Sequence, residues 1–393
     1  MRLRSIFATG VYLSLIPLVG ATGTWTEPMA AAPFAEVEAP ALTASKARGN
    51  TQGATTSPPI RAGRLEQRDA SVSLSKTVSA IGTAETGTVW LAWTTPAQRS
   101  EQERWQERSW SRDVNRCVLD DDGNFRDSGG VDNRSERVVI FARMVNRTID
   151  RLALADTRCT VEAGAKTVYF LEDVEPAQSV ALLAGLVRQE AADKTAGDRD
   201  EHGRGPHGRQ NAIVAIGLTA DPSADRVLEE FVAASNPRWL RRDAAFWLGA
   251  SRGVTGAAIV ERLARTDKDN GFREHLTFVL SLTGDHGIDT LIDLARNDPA
   301  SNVRGQALFW LGQKAGAKAV STLGHAIDAD PDHDVRMKAV FAISQLPKSE
   351  SVPKLIELAR THRDPEVRKQ AMFWLGQTGD ARAVEFFEAV LRK

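Results

Sequence analysis

The sequence has little that would announce a reaction. Its 393 residues contain no GxSxG, Walker A or GxGxxG stretch, so it lacks both the nucleophile turn and the Gly-rich phosphate cradles. Cysteine is nearly absent: Cys117 and Cys159 are the two in the chain, and neither belongs to a CxxC pair. Zinc ribbons and thioredoxin-type dithiols are disfavoured accordingly. A net charge of -1 provides no global basic field, so bulk charge points neither to nucleic acid nor to an acidic membrane surface. Beyond the first 24 residues no apolar run is long enough to cross a bilayer.

What is present begins with that first segment. Residues 1–4 are a short basic stretch, and residues 5–24 carry no charge, with Pro17 and three glycines interrupting the apolar run. The pattern predicts a secretory signal peptide over 1–24, cut near residues 21–23, with no other membrane attachment. An uncleaved anchor is the competing reading. Export to the periplasm or the exterior makes the two cysteines a disulfide candidate, with two buried free thiols as the alternative. Residues 25–66 are rich in Ala, Pro, Thr, Ser and Gly without sustained periodicity. They read as a disordered linker, with order expected from about Val72.

Between 67 and 173 the hydrophobicity alternates with period two in short segments such as TVWLAW (88–93), ERVVIFARMV (136–145) and KTVYFLE (166–172). Turn clusters DDDGN and DSGG separate them. The expectation is a small antiparallel β domain, a sandwich or a curled sheet, stapled by a Cys117–Cys159 bridge. DDDGN lacks the EF-hand spacing and reads as a solvated turn.

From 174 to 393 the period becomes helical. Arg209, Arg241, Arg273, Arg304, Arg336 and Arg368 recur 31 or 32 residues apart, the mark of a solenoid whose units stack on their neighbours. Each unit reads as two helices. One opens after an Asn/Asp-Pro step (Asn236-Pro237, Asp298-Pro299, Asp330-Pro331, Asp364-Pro365), where the polar side chain caps and Pro takes the first turn. The other is plainly amphipathic. Six pairs and a closing helix at 380–392 are expected, which makes the fold class multidomain α plus β.

The unit D-x-x-x-V-R-x-x-A-x-x-x-L-G resembles the HEAT repeat, in the short form first associated with phycobilisome lyases. Phe272 and Leu276 depart from it, standing where Val and Ala are usual. The resemblance implies a right-handed α-solenoid with the Val-Arg helices on its concave side and Asp/Arg pairs linking the units. Asp267/Arg273, Asp298/Arg304 and Asp330/Arg336 fit that ladder at six-residue spacing. The wider family includes a di-iron hydroxylase with repeated His-Glu dyads. This chain has Glu-His at 201–202 and 274–275 instead, and His286, His325, His333 and His362 share no stripe. No metal and no cofactor are expected.

Aligned on the arginines, the fifth residue onward is Phe246, Phe278, Phe309, Phe341 and Phe373, a column that is usually polar in the family. At 100° per residue it lies opposite Val367, Ala371 and Leu375. Two readings stand. The rings form an exposed groove that binds a protein or peptide partner, or neighbouring helices cover them as core. The next column alternates Trp247, Val279, Trp310, Ala342, Trp374 and reads as packing, each large ring over a small neighbour. That alternation makes a two-unit superperiod, so VRGQALFWLGQ (303–313) returns as VRKQAMFWLGQ at 367–377. The function expected is an exported, non-catalytic scaffold. The alternatives are a lyase- or isomerase-like cofactor-handling protein and a cell-wall glycan binder using Trp90, Trp93, Trp105 or Trp110.

Overall fold

The computed structural model describes residues 59–98, 116–119, 125–126, 136–192 and 211–392. The expected signal segment, most of the expected linker, Trp105, Trp110 and Arg209 lie outside them.

Order starts earlier than the composition suggested. Strand β1 (Ile60–Asp69) falls largely inside the stretch read as linker. Its sequence IRAGRLEQRD is charged because it is an edge strand, paired along one side to the last strand of the sheet and mostly exposed. Charge blunts such an edge and hides its periodicity. Helix α1 (Leu74–Ala84) follows, capped by Ser73, whose side chain accepts the Lys76 N–H at 3.4 Å. Leu74, Val78 and Ile81 form its buried stripe, a helical spacing within a region read as all β.

The remaining strands are β2 (Val89–Pro96), β3 (Arg116–Leu119), β4 (Phe125–Arg126), β5 (Arg137–Val145), β6 (Thr148–Asp156) and β7 (Thr160–Glu172). The sheet is mixed, not antiparallel, in the order β4-β3-β7-β2-β5-β6. One edge of β7 takes β1 in parallel along its length; the other takes β3 near Thr160–Glu162 and β2 near Val168–Phe170, both also parallel. Strands β1 and β2 therefore run in the same direction on either side of β7. Parallel strands cannot be joined by a hairpin, and α1 supplies the crossover.

Both faces of the sheet are buried, which is why VWLAW and VVIFA are nearly continuous apolar runs. One face carries Trp90, Ala92, Val139, Phe141, Val168 and Phe170 together with Cys117 and Cys159. These two cysteines form the expected disulfide, with Cα atoms 5.9 Å apart. The other face presents Leu91, Trp93, Ile140 and Leu171 to a core continuous with that of the helices. The Trp93 indole N–H donates to Ser179 Oγ at 2.8 Å, and Asn211 Nδ2 donates to Leu152 O at 2.7 Å. The chemistry of the chain changes near residue 174, but the core does not divide there.

Among the described residues six helix pairs follow: α2 (Pro176–Ala192) with α3 (Asn211–Leu218), α4 (Pro222–Phe231) with α5 (Arg238–Ser251), and α6 (Gly253–Thr266) with α7 (Asn270–Leu280). Next come α8 (Asp285–Asn297) with α9 (Ser301–Lys314), α10 (Ala317–Ala329) with α11 (His333–Ser344), and α12 (Lys348–Thr361) with α13 (Pro365–Gln377); α14 (Ala381–Leu391) closes the array. The odd-numbered helices from α3 to α13 pack on one another as one layer. Close approach in that layer depends on glycine. A Cβ on Gly249 would lie 2.3 Å from Val279 Cγ1, and one on Gly312 would lie 2.7 Å from Ala342 O. At such distances something must shift.

Capping departs from expectation at three of the four Asn/Asp-Pro steps. Only Asp364 caps its helix, accepting the Glu366 N–H at 2.9 Å with Pro365 in the first turn. Asn236 closes the end of α4 instead, donating to Glu230 O. Asp298 and Asp330 lie ahead of their helices, each accepting the N–H two residues on, and the caps are Ala300 and Asp332.

Candidate functional site

The arginine column is a ladder, with connections different from the six-residue pairing the resemblance implied. At that spacing each arginine meets a backbone carbonyl: Arg273 Nη1 donates to Asp267 O at 2.8 Å, Arg304 to Asp298 O at 3.0 Å, and Arg336 to Asp330 O at 2.9 Å. The carboxylate comes from the next unit. Arg273 forks onto Asp298 with Nε and Nη2 at 2.8 and 2.9 Å, and Arg304 onto Asp330 at 2.8 and 3.0 Å. Arg241 reaches Asp267 through Nη2 alone, its Nε donating to Val232 O at 3.0 Å. One guanidinium thus pins its own helix start and the following unit at once. These are structural bonds.

The phenylalanine column is a ribbon of touching rings. Phe246 stacks on Phe278 with centroids 6.2 Å apart, and Phe309 on Phe341 at 6.1 Å. Trp310 reaches back to Phe278 at 5.2 Å, and Trp374 to Phe341 at 4.9 Å. All three tryptophans of the next column pack against the core, and the Trp247 ring fills the space beside the small Gly217. The superperiod follows from this arrangement: a Phe-Trp unit stacks its Phe forward and its Trp backward on the Phe of units that lack Trp. Four of the five phenylalanines are half-buried in consequence, so the column is not an open groove along its length. Phe373 is 44% exposed. Leu311 and Leu375, two residues further along the same helices, are fully buried.

Sequence reasoning missed a companion column. Gln313, Gln345 and Gln377 follow Phe309, Phe341 and Phe373 by four residues, share their helix face and are exposed. Gln313 Nε2 donates to Gln345 Oε1 at 3.3 Å. The final letter of FWLGQ, twice repeated, was the available signal. The surface joins apolar ring edges to amides that both donate and accept.

Other candidates do not form sites. Trp90 and Trp93 are 1% and 0% exposed, so neither can stack on a glycan; the period-two pattern buries one on each face of the sheet. Among the described residues no group of three His, Cys, Asp or Glu is arranged to hold a metal, and no helix is long and apolar enough to cross a membrane. His275 is wholly buried, between Phe272 and Phe278, with Nε2 3.2 Å from Arg242 O. Desolvation, reinforced by the Arg242 charge, pushes its pKa down to about 3.

That histidine has a measurable consequence. The unfolded chain binds a proton at His275 below its ordinary pKa of about 6.5, whereas the folded chain stays neutral until about 3. Its contribution to stability is therefore full above pH 6.5 and falls as pH drops through that window, by at most roughly 1.4 kcal/mol per pH unit. Urea midpoints of the full chain between pH 7 and pH 4 should fall more steeply than those of His275→Gln. Parallel profiles would refute the assignment.

Residues 288–371 match the family model for HEAT repeats, and residues 367–393 match the PBS lyase HEAT-like repeat. The C-terminal region of the chain is built of HEAT repeats. The same ladder continues toward the N-terminus from that match, through Arg241 and Arg273. Among curated proteins none matches the chain in sequence. Similar solved structures include human deoxyhypusine hydroxylase in complex with glycerol, 16% identical, covering 52% of this chain and 80% of that one, with a TM-score of 0.27. Another is the complex of CpcE and CpcF of phycocyanin lyase from a Nostoc species, 18% identical over 54% and 80% of the two chains, with a TM-score of 0.29. Neither score bears on what this chain does.

Proposed function

We propose that the protein is an exported scaffold without catalysis of its own, which captures a protein or peptide partner on the odd-numbered helix layer of its HEAT array. The observation that carries the reading is the Phe–Gln face of the last three units, where ring edges and exposed amides repeat in register and exposure rises to Phe373. A large aromatic left partly open beside polar groups is the composition of an interaction hot spot. HEAT repeats commonly mediate protein interactions, which supports the same reading. The basic start and charge-free run of residues 1–24 support export, so the mature chain is expected to begin after about residue 23.

The test separates binding from packing by magnitude. Leu311→Ala and Leu375→Ala should each cost about 2–5 kcal/mol, through lost transfer energy and a cavity. Phe373→Ala should cost about 1 kcal/mol or less, with Phe309→Ala and Phe341→Ala between the two because their rings are half covered. Capture of a partner from periplasmic extract by the full chain should be lost in Phe373→Ala and retained in the Leu variants that stay folded. Should Phe373→Ala and Leu375→Ala destabilise equally, the face is core and the proposed surface is gone.

A further inference from the structure

The Arg/Asp ladder has one broken rung. Six residues before the successive arginines stand Asp267, Asp298, Asp330 and then His362. At the position equivalent to the aspartates on which Arg273 and Arg304 close their forks, the unit after Arg336 carries His362. Arg336 Nη1 keeps the bond to Asp330 O. Its Nη2 contacts His333 Nδ1 at 3.4 Å and forms an ion pair with Asp364 Oδ2 at 3.6 Å, and neither contact reproduces the two-point fork of the intact rungs. Asp364 is already engaged as the cap of α13.

A cavity of about 390 Å³ opens at this rung, against about 210 Å³ at the intact one before it. Its polar lining is Asp328, Asp330, Arg336, His362, Arg363 and Asp364. The His362 side chain is 7% exposed. Its Nδ1 accepts the Asp364 N–H at 3.1 Å, which places the proton of the neutral ring on Nε2. That buried N–H has no hydrogen-bond partner. Asp328 Oδ1 lies 3.3 Å from Nε2 without forming a hydrogen bond to it. A guanidinium without its two-point fork and an imidazole N–H without a hydrogen bond thus border the space that intact rungs fill with a carboxylate.

We propose that the broken rung is a carboxylate-binding site, in which a ligand replaces the missing aspartate, bidentate on Arg336 and bonded to His362 Nε2. The planar fork of arginine matches a carboxylate in both spacing and charge. The site lies at the loop edge of the array and does not depend on the phenylalanine face. Asp330 is neutralised by Arg304; Asp328 and Asp364 oppose a further negative charge, so a lone carboxylate binds weakly. The natural source is an acidic side chain of a partner or a small organic acid.

Sodium acetate titrated into the ¹⁵N-labelled full chain, with sodium chloride at equal ionic strength as reference, reads the site directly at the Arg336 Nε–H resonance. A saturable shift is expected in the wild type. In His362→Asp the internal carboxylate should already hold that resonance near its shifted position, acetate affinity should fall about tenfold or more, and the unfolding midpoint should rise. Succinate and an acetylated Asp-containing hexapeptide distinguish the sources: either one saturating below acetate supports the site and names its ligand. Equal shifts with acetate and chloride, or an undiminished acetate response in His362→Asp, would overturn it. So would phosphate saturating at about a tenth of the acetate concentration, which would make the rung a phosphate site.

Discussion

Asp298→Ala is expected to lower stability by about 3–5 kcal/mol, far more than a surface charge deletion. The Arg273–Asp298 pair is desolvated, its side chains 9% and 3% exposed. Removing the carboxylate leaves both Nε and Nη2 of a buried guanidinium without an acceptor, and the Ala300 N–H loses its bond to Asp298 Oδ1 as well. The matched control is Asp364→Ala at the broken rung. There the distance to Arg336 is 3.6 Å and both groups are part-exposed, so the loss should be that of a surface N-cap, several-fold smaller than for Asp298→Ala. Urea unfolding of the full chain followed by helical signal makes the comparison, with the steepness of each transition showing whether units still melt together. Equal losses for the two aspartates would mean that the fork bonds add nothing beyond ordinary capping.

The contrast also shows what the sequence could and could not convey. Period and register were legible because stacking repeats the same burial every 31 or 32 residues: Val303 and Val367, Ala307 and Ala371, Leu311 and Leu375 are all fully buried. Direction of pairing was not. An aspartate six residues before an arginine looks like its partner, yet at that spacing the helix start offers the arginine only a carbonyl, and the carboxylate faces the preceding unit. Strand direction failed for a similar reason. Alternation reports that a face is covered, and Trp90 and Trp93, read as glycan candidates, are buried on opposite faces; it says nothing of whether a neighbour runs parallel. The phenylalanine column was found by counting, while its partial coverage depends on Trp310 and Trp374 reaching back a whole unit. A helical wheel of one helix cannot show that contact.

Loss of the Cys117–Cys159 bridge is expected to cost about 4 kcal/mol, and to cost it locally. The bond closes a loop with a sequence separation of 42, which in the chain-entropy model corresponds to about that figure at 25 °C. Locality follows from the sheet. Among the described residues, strand β3 holds β7 through three residue pairs, Arg116 to Val118 against Thr160 to Glu162, and its other neighbour β4 spans two residues. The disulfide is thus a principal tie of that corner to the face carrying Trp90 and Phe141. Both sulfurs are buried there, so the oxidising compartment of the proposed export would protect the bond once formed. Trp93 and Ser179 join the opposite face to α2, but the arginine rungs from Arg273 onward touch none of these residues. Cys117→Ala/Cys159→Ala in the full chain should therefore speed amide exchange at Val161 and Ala163 and lower the first urea transition, while amides around Val303 and Val367 keep their protection. Uniform loss of protection along the whole chain would show that sheet and repeats unfold as one unit, and the bridge would then stabilise the repeat array as much as the sheet.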